Sequence, residues 1–260
     1  MTQTDLDGAH AAMNDDVEND AARLQFFERL ADTELYMLLG AEPDGDQVEP
    51  AIFEAEGQKF VPVFDREARL AEFTGRAAPY AALPGRALAQ MLDGQGIGLG
   101  LNLKVAPSQM LIPAEALTWL VATLANAPVE TQARLTEVAA PRGLPQAVVT
   151  GLDRKLAIAA GLATSAYLAA ATYEDGAKGH ILAFVDANEG AESALANAAS
   201  EALTFSGIDA GVMDVMFVRS DDAMTAHLAK VGLRFDLPQV QDPVPPAAPG
   251  MDPDKPPRLR

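Results

Sequence analysis

The sequence predicts an α+β protein of two small α/β-sandwich domains, the second ferredoxin-like, with the order βαββαβ plus an extra helix and a short strand. Three observations carry this. Between Phe60 and Phe73, FVPVFDREARLAEF, the apolar period changes from two to that of a helix. Strand-like and helix-like segments then alternate on both sides of Asn126-Ala127-Pro128-Val129, in a different order on each side. Both ends of the chain fall outside the pattern, one rich in acids and the other in prolines.

Residues 1 to 20 carry six acidic side chains and no basic one. So little apolar surface and so much like charge predict a disordered acidic leader. The first domain is expected over 21 to 127. Leu24, Phe27 and Leu30 mark a helix that runs into a buried strand, Glu34 to Leu39. Asp44 and Asp46 lie in a turn-rich segment that lacks the later ligands of a calcium loop. Ala51 to Ala55 and the strand from Phe60 form a hairpin across Glu56-Gly57. Asp65 is placed to cap the helix Arg66 to Thr74, and Gly75 to end it in a left-handed turn. A short helix with Leu88, Met91 and Leu92 on one face follows Pro84-Gly85.

GQGIGLGLNL has glycines at 94, 96, 98 and 100. Their period of two is that of a strand with one bare face, against which another backbone or a helix packs. The dinucleotide fingerprint is excluded, because Leu99 and Leu101 stand where its third glycine belongs. A short strand from Gln109 to Ile112 leads through Pro113 into a helix with Leu117, Leu120, Val121 and Leu124. Trp119 lies off that stripe, at the core's edge or facing the second domain.

The second domain is expected over 133 to 237: strand 134–139, helix 145–159, strands 165–172 and 180–185, helix 191–205 and strand 212–218. A helix over 221–231 and a strand near Leu233 to Leu237 complete it. Val212 to Val218 is apolar on both faces, unlike an edge strand, so the last short strand is expected to pair beside it. Residues 238 to 260 form a Pro-rich, disordered tail. The final twenty residues hold seven of the chain's 18 prolines.

The chemistry is defined mainly by what the sequence lacks. It has no cysteine, which excludes disulfides, thiolate metal sites and a thiol nucleophile. His10, His180 and His227 have no metal-ligand spacing, and Ser206 lacks the first glycine of a nucleophile elbow. Asp221 and Asp222 suit a helix start. Asp153-Arg154-Lys155 places two cations on a helix whose default is an exposed face. We therefore expect no enzyme activity, no catalytic, cofactor-binding or metal site, and no cofactor. The formal charge of −18 repels phosphate, which argues against nucleic acid and anionic membranes. No membrane span is expected, and the chain reads as cytoplasmic.

The first half resembles the SseB family of bacterial proteins. The resemblance rests on RLQFFERLADTELYMLL (23 to 39), FVPVFDREARLAEF, LPGRALAQML, GLGLNL and MLIPAEAL, and covers about residues 23 to 118. Val61-Pro62-Val63-Phe64, Arg69-Leu70, Phe73 and Asn102 match the family's pattern, while Leu103-Lys104 stands where Pro-Gly is usual. The resemblance implies a C-terminal domain of compatible element order and no established catalytic residue. The family name derives from an enhanced serine sensitivity phenotype and is shared with a type III secretion translocator. The expected function is thus a non-catalytic cytosolic binding or interaction protein with a protein partner or self-association. A small-molecule (amino-acid) sensor and a secretion-associated factor are the alternatives.

Overall fold

The computed structural model describes residues 3–16, 18–42, 48–125, 134–207 and 213–239. The architecture is α+β with two domains, each built on its own mixed sheet. In the first, helices α1 (Asp5–Asp15) and α2 (Asp20–Asp32) precede β1 (Glu34–Leu38), β2 (Phe53–Ala55) and β3 (Gln58–Phe64). Then follow α3 (Glu67–Thr74), β4 (Tyr80–Pro84), α4 (Gly85–Leu92), β5 (Ile97–Leu101), β6 (Met110–Ile112) and α5 (Ala114–Leu124). The strand order is β4-β1-β3-β5-β6, with β2 as the hairpin partner of β3.

The alternation read in Phe60 to Phe64 sorts side chains to two faces. Val61 and Val63 join Leu35, Met37, Leu99 and Leu101 against α2, α4 and α5. Phe64, fully buried on the other face, lies 5.1 Å from the Phe73 ring of α3. The bare face of β5 has the expected cause at Gly98, where another backbone approaches, whereas Gly100 is crowded by side chains. A Cβ at Gly98 would stand 2.2 Å from the Ile112 carbonyl oxygen, and one at Gly100 would stand 2.9 Å from the Phe53 ring. Trp119 sits at the core's edge, edge-on to Phe27 at 5.2 Å. One strand went unread: β4 has no β-branched residue, and its Pro84 is tolerated at an edge position that pairs only with β1.

Two expectations for this domain are corrected. Residues 5 to 15 are not a disordered leader but helix α1, started by a capping box in which the Thr4 hydroxyl accepts from Asp7 N–H. Leu6 is 1% exposed within the first core, and His10 lies edge-on to Phe26 at 5.8 Å. Composition missed this because the docking is largely polar. Nor is Asp65 the cap of α3. Arg66 occupies the cap position without a side-chain bond, and the Asp65 carboxylate is committed to Arg69 and Thr4. Gly75 does end the helix in the left-handed conformation at φ 65°.

The second domain contains β7 (Leu135–Ala139), α6 (Gln146–Ile158), β8 (Ser165–Tyr173), β9 (Lys178–Val185), α7 (Glu192–Phe205), β10 (Met213–Val218), α8 (Ala223–Val231) and β11 (Leu233–Asp236). The element order is the expected one, but the strand order is not ferredoxin-like. It runs β10-β9-β8, with β7 and β11 both on the far side of β8. A ferredoxin-like sheet pairs the first strand with the third; here β7 pairs antiparallel with the second, β8, and β9 and β10 are adjacent and parallel through α7. Element order leaves strand direction open. The turns around α6, with Pro141, Gly143 and Pro145 before it and Gly161 at φ 72° after it, reverse the chain so that β8 lies beside β7.

The last strand is corrected for a related reason. β11 pairs with Ser165 to Leu168 of β8, not with β10. β7 covers β8 only from Ala170 onward, so the remaining backbone groups of this interior strand need a partner, and β11 supplies it. β10 is an edge strand after all. It is apolar on both faces because Met213, Val215 and Phe217 lie in the cluster packed with α7 while Met216 and Val218 lie in the cluster packed with α8. The turn at Asp44 and Asp46, the boundary at 126 to 131 and the tail from 240 lie outside the described residues.

Phe64→Ala is expected to cost about 3 to 5 kcal/mol through the cavity it opens. Asp65→Ala should cost clearly more than the roughly 1 kcal/mol of a lost cap, since it strips a buried guanidinium of a partner. Urea titration of both variants checks the pair, and a loss near that of a simple cap at Asp65 would return it to capping.

Candidate functional site

β3 and β5 are parallel neighbours, so their carboxyl ends open on the same side of the sheet. In mixed sheets, polar side chains converge at such ends. Here Asp65 follows β3 and Asn102 follows β5. Asn102 N–H donates to the Val63 carbonyl at 2.9 Å, and the Asn102 side-chain oxygen accepts from Asp65 N–H at 3.1 Å. Asn102 adopts φ 46°, which a short polar residue tolerates, so the tight turn forms although Leu103-Lys104 follows.

Arg69, in the first turn of α3, points into this end of the sheet and is 2% exposed. Its Nη1 donates to Asp65 Oδ1 at 2.7 Å and to Asp7 Oδ1 at 3.0 Å, and its Nη2 donates to Asp7 Oδ2 at 2.5 Å. The Ser108 hydroxyl donates to Asp7 Oδ1, while Asn102 Nδ2 donates to that hydroxyl at 2.9 Å. Burial alone would raise the Asp7 carboxyl. Hydrogen bonds from Arg69, Ser108 and Thr4 N–H outweigh burial and hold it well below the usual carboxylate range. The Arg69 Nε is buried and has no acceptor among the described residues.

A second buried charge group lies where the domains meet. Lys155 of α6, also 2% exposed, brings its ammonium to 2.5 Å from Asp32 and 2.8 Å from Glu201. Glu28 Oε1 stands 3.7 Å away. Arg86 of α4 donates to both oxygens of Glu201 at 3.1 Å and also to Asp32. Thus α2 and α4 of the first domain are tied to α6 and α7 of the second. Phe205 of α7 continues the contact inside the first domain's core. The exposed face expected for Asp153-Arg154-Lys155 is corrected here: Lys155 falls on the buried side of α6, and only its neighbours face out.

Beside this cluster is a cleft of about 190 Å³, walled by α2, α6 and α7. Gln25, Glu28, Thr150, Arg154 and Ser206 supply its polar groups. Burial pushes the Glu28 carboxyl up, against the pull of Lys155 and Arg29, and its Oε1 has no hydrogen-bond donor among the described residues. The cleft is smaller than the roughly 300 to 1,000 Å³ of most ligand pockets. It suits a small polar molecule.

The other residues singled out from sequence stay apart. His180 Nε2 faces the Arg142 carbonyl and His227 Nε2 the Val138 carbonyl, each at 3.1 Å. Ser206 bonds back to the Leu203 carbonyl at the end of α7. Asp222 occupies the cap position of α8, but its carboxylate accepts from Arg219 N–H rather than from the helix. No group of metal-ligating side chains occurs among the described residues. Arg69 and Asn102 entered the sequence reading only as family-pattern positions. No local signal could pair them with Asp7, 62 residues before Arg69.

The two carboxyls give opposite pH dependences. The lowered Asp7 contributes stability that is complete above the unfolded carboxylate value, about 3.9, and is lost as pH falls through its depressed folded value. The raised Glu28 penalises the fold as pH climbs from about 4.3 through its higher folded value. Asp7→Asn is therefore expected to destabilise most at neutral pH and progressively less in acid. Glu28→Gln should remove a decline in stability on the alkaline side of pH 4.3. Lys155→Met should cost about 3 to 5 kcal/mol, the range for breaking a buried pair. Denaturant titrations across a pH series measure all three, and parallel curves for Asp7→Asn and the parent would contradict the charge assignment.

Residues 6–119 match a family model, the SseB protein N-terminal domain. The match begins inside α1, so the helix that carries Asp7 lies within the family's domain. No curated protein and no solved structure matches the chain. The second domain, from β7 onward, lies beyond the matched residues. Residues 6–119 are therefore an SseB-type N-terminal domain.

Proposed function

We propose that this chain is a non-catalytic cytosolic interaction protein of the SseB family that works by binding another protein. The observation that carries this is the use made of its buried charges. Arg69, Lys155 and Arg86 each face carboxylates of other helices or loops, so the groups best placed for chemistry instead hold elements and domains together. The edge strand β10 adds a binding surface, because its outer row of backbone groups pairs with no strand among the described residues. Crosslinking followed by affinity capture from the native cell is expected to retain a defined protein in near-stoichiometric amount. Capture of nothing specific, together with measured turnover of any substrate, would overturn the reading.

The cleft at Glu28 favours a second reading, a small-molecule sensor for amino acids. A buried carboxylate whose Oε1 accepts no hydrogen bond among the described residues, beside an arginine, offers one group for an ammonium and one for a carboxylate. Its place between the domains would let a ligand bias their contact. A secretion-associated role has no comparable feature to support it. A ligand at a hundred times its dissociation constant adds about 2.7 kcal/mol of stability. A thermal-shift screen of amino acids is expected to show this gain for at least one, and Glu28→Gln to abolish it. The absence of any shift at millimolar concentration removes the sensor reading.

A further inference from the structure

The Arg69 cradle is built by the body of the first domain, and the carboxylate in it is delivered by a separate helix. Arg69 comes from α3, Ser108 from the β5–β6 loop and Asn102 from the end of β5; Asp7 arrives on α1. Three features of α1 meet fitted positions. The Thr4 hydroxyl donates to Asp65 Oδ2 at 2.6 Å, Leu6 is buried in the core, and the Asp7 carboxylate takes both Arg69 nitrogens and the Ser108 hydroxyl. A bidentate guanidinium with a third donor is geometry that selects a carboxylate. The unpaired Arg69 Nε leaves the cradle with one donor more than Asp7 satisfies.

The buried side chains of the helix, Leu6, Asp7 and His10, all lie in its first two turns. Leu6 is its only fully buried apolar side chain; Ala11, Ala12 and Asp15 are exposed, and the chain leaves it at an extended Asp16. An eleven-residue helix has little stability of its own in water. Its acidic neighbours Asp5, Asp15, Asp16, Glu18 and Asp20 repel one another.

We propose that the cradle of Arg69, Ser108 and Asn102 is a peptide-binding site that α1 occupies in cis. Its external ligand is a partner polypeptide with a helix start of the same chemistry: a threonine, a leucine two residues on, and an aspartate next to it. Undocking of α1 opens the site, and the partner's aspartate replaces Asp7 on Arg69. This deepens the interaction reading, on which it rests, by naming what the partner presents.

The test uses full-length protein and a fluorescent peptide copying residues 3–16, followed by anisotropy. Asp7→Ala empties the cradle and is expected to bind the peptide at least about tenfold more tightly than the parent chain, a difference of about 1.4 kcal/mol. The same peptide with asparagine for its second aspartate should not bind, and adding Arg69→Met to Asp7→Ala should abolish binding. Equal binding by parent and Asp7→Ala, or none by either, overturns the proposal. So does displacement of the peptide by equimolar formate, which would make the site a receptor for bare carboxylate. A parent-chain dimer that Asp7→Ala abolishes would assign the cradle to a second copy instead.

Hydrogen exchange on the parent chain needs no variant. Excess peptide should speed exchange in residues 4–15 and nowhere else, and unchanged exchange there overturns the proposal if Asp7→Ala fails to fold. A partner captured equally well by the Arg69→Met chain would sink this proposal while leaving the interaction reading intact.

Discussion

A guanidinium that is 2% exposed keeps its charge only if fixed partners replace the water it has lost, and Arg69 sets that condition for the first domain. Asp65, one helical turn back, supplies part of the compensation. It is not enough, because a carboxylate that also accepts from Thr4 cannot satisfy both arms of the fork. The second carboxylate must come from elsewhere, and among the described residues Asp7 supplies it. A polar requirement at the end of β3 thereby orders a helix whose own sequence gives it little reason to fold. The same requirement explains why Asp65 does not cap α3: its oxygens are needed by Arg69 and Thr4. It also gives Asn102 and Ser108 their roles, one holding the ends of two strands together and the other orienting a hydroxyl toward Asp7.

Lys155 poses the same problem between the domains, with a different outcome. Its ammonium has three carboxylates in reach, drawn from α2 and α7, and Arg86 bridges two of them. Removing either domain would leave charges of the other without counterions. The contact therefore has a fixed electrostatic register as well as the apolar anchor of Phe205. Glu28 is the member least well served, with an oxygen that no donor reaches, and the cleft opens beside it. Where the cluster is satisfied it holds the domains in register; where one oxygen is left over, it lines a cleft.

Much of the fold was legible because burial imposes a period. β3, β5, α5 and α6 each place apolar residues at the spacing of their own geometry, so they could be read without knowing their neighbours. Gly98 and Gly100 announced a close approach, and Gly75 a helix end. What could not be read was relational. The strand order of the second domain depends on the direction in which α6 returns the chain, and turn geometry, not element type, decides that. The apolar faces of β10 looked like those of an interior strand, since a strand covered by helices on both sides carries the same pattern whether or not it is at an edge. The candidate site was least legible of all. Arg69 lies within a plain amphipathic pattern, and nothing near it in sequence announces a partner 62 positions earlier. Lys155 follows two exposed residues, Asp153 and Arg154, that hide its burial.

The acidic first segment shows most directly how one long-range contact overrides composition. Residues 1 to 20 carry six carboxylates and no cation, which by every local measure favours an expanded chain. Arg69 neutralises one of the six from outside the segment, and that one lies on the same helical turn as Leu6. With the charge of Asp7 cancelled and Leu6 beside it, the first turn of α1 has both a polar and an apolar anchor, and the capping box with Thr4 aligns them. Beyond that turn only His10 and partly buried Ala9 and Met13 add contact, while the outward face keeps its repulsion. Burial in α1 therefore thins out from its first turns toward Asp16, and the first turn is where a competing carboxylate, proton or cation would act. A segment held by apolar surface alone would respond to none of these; one held partly by a buried ion pair responds to all three, because each changes the electrostatic term that helps keep it folded.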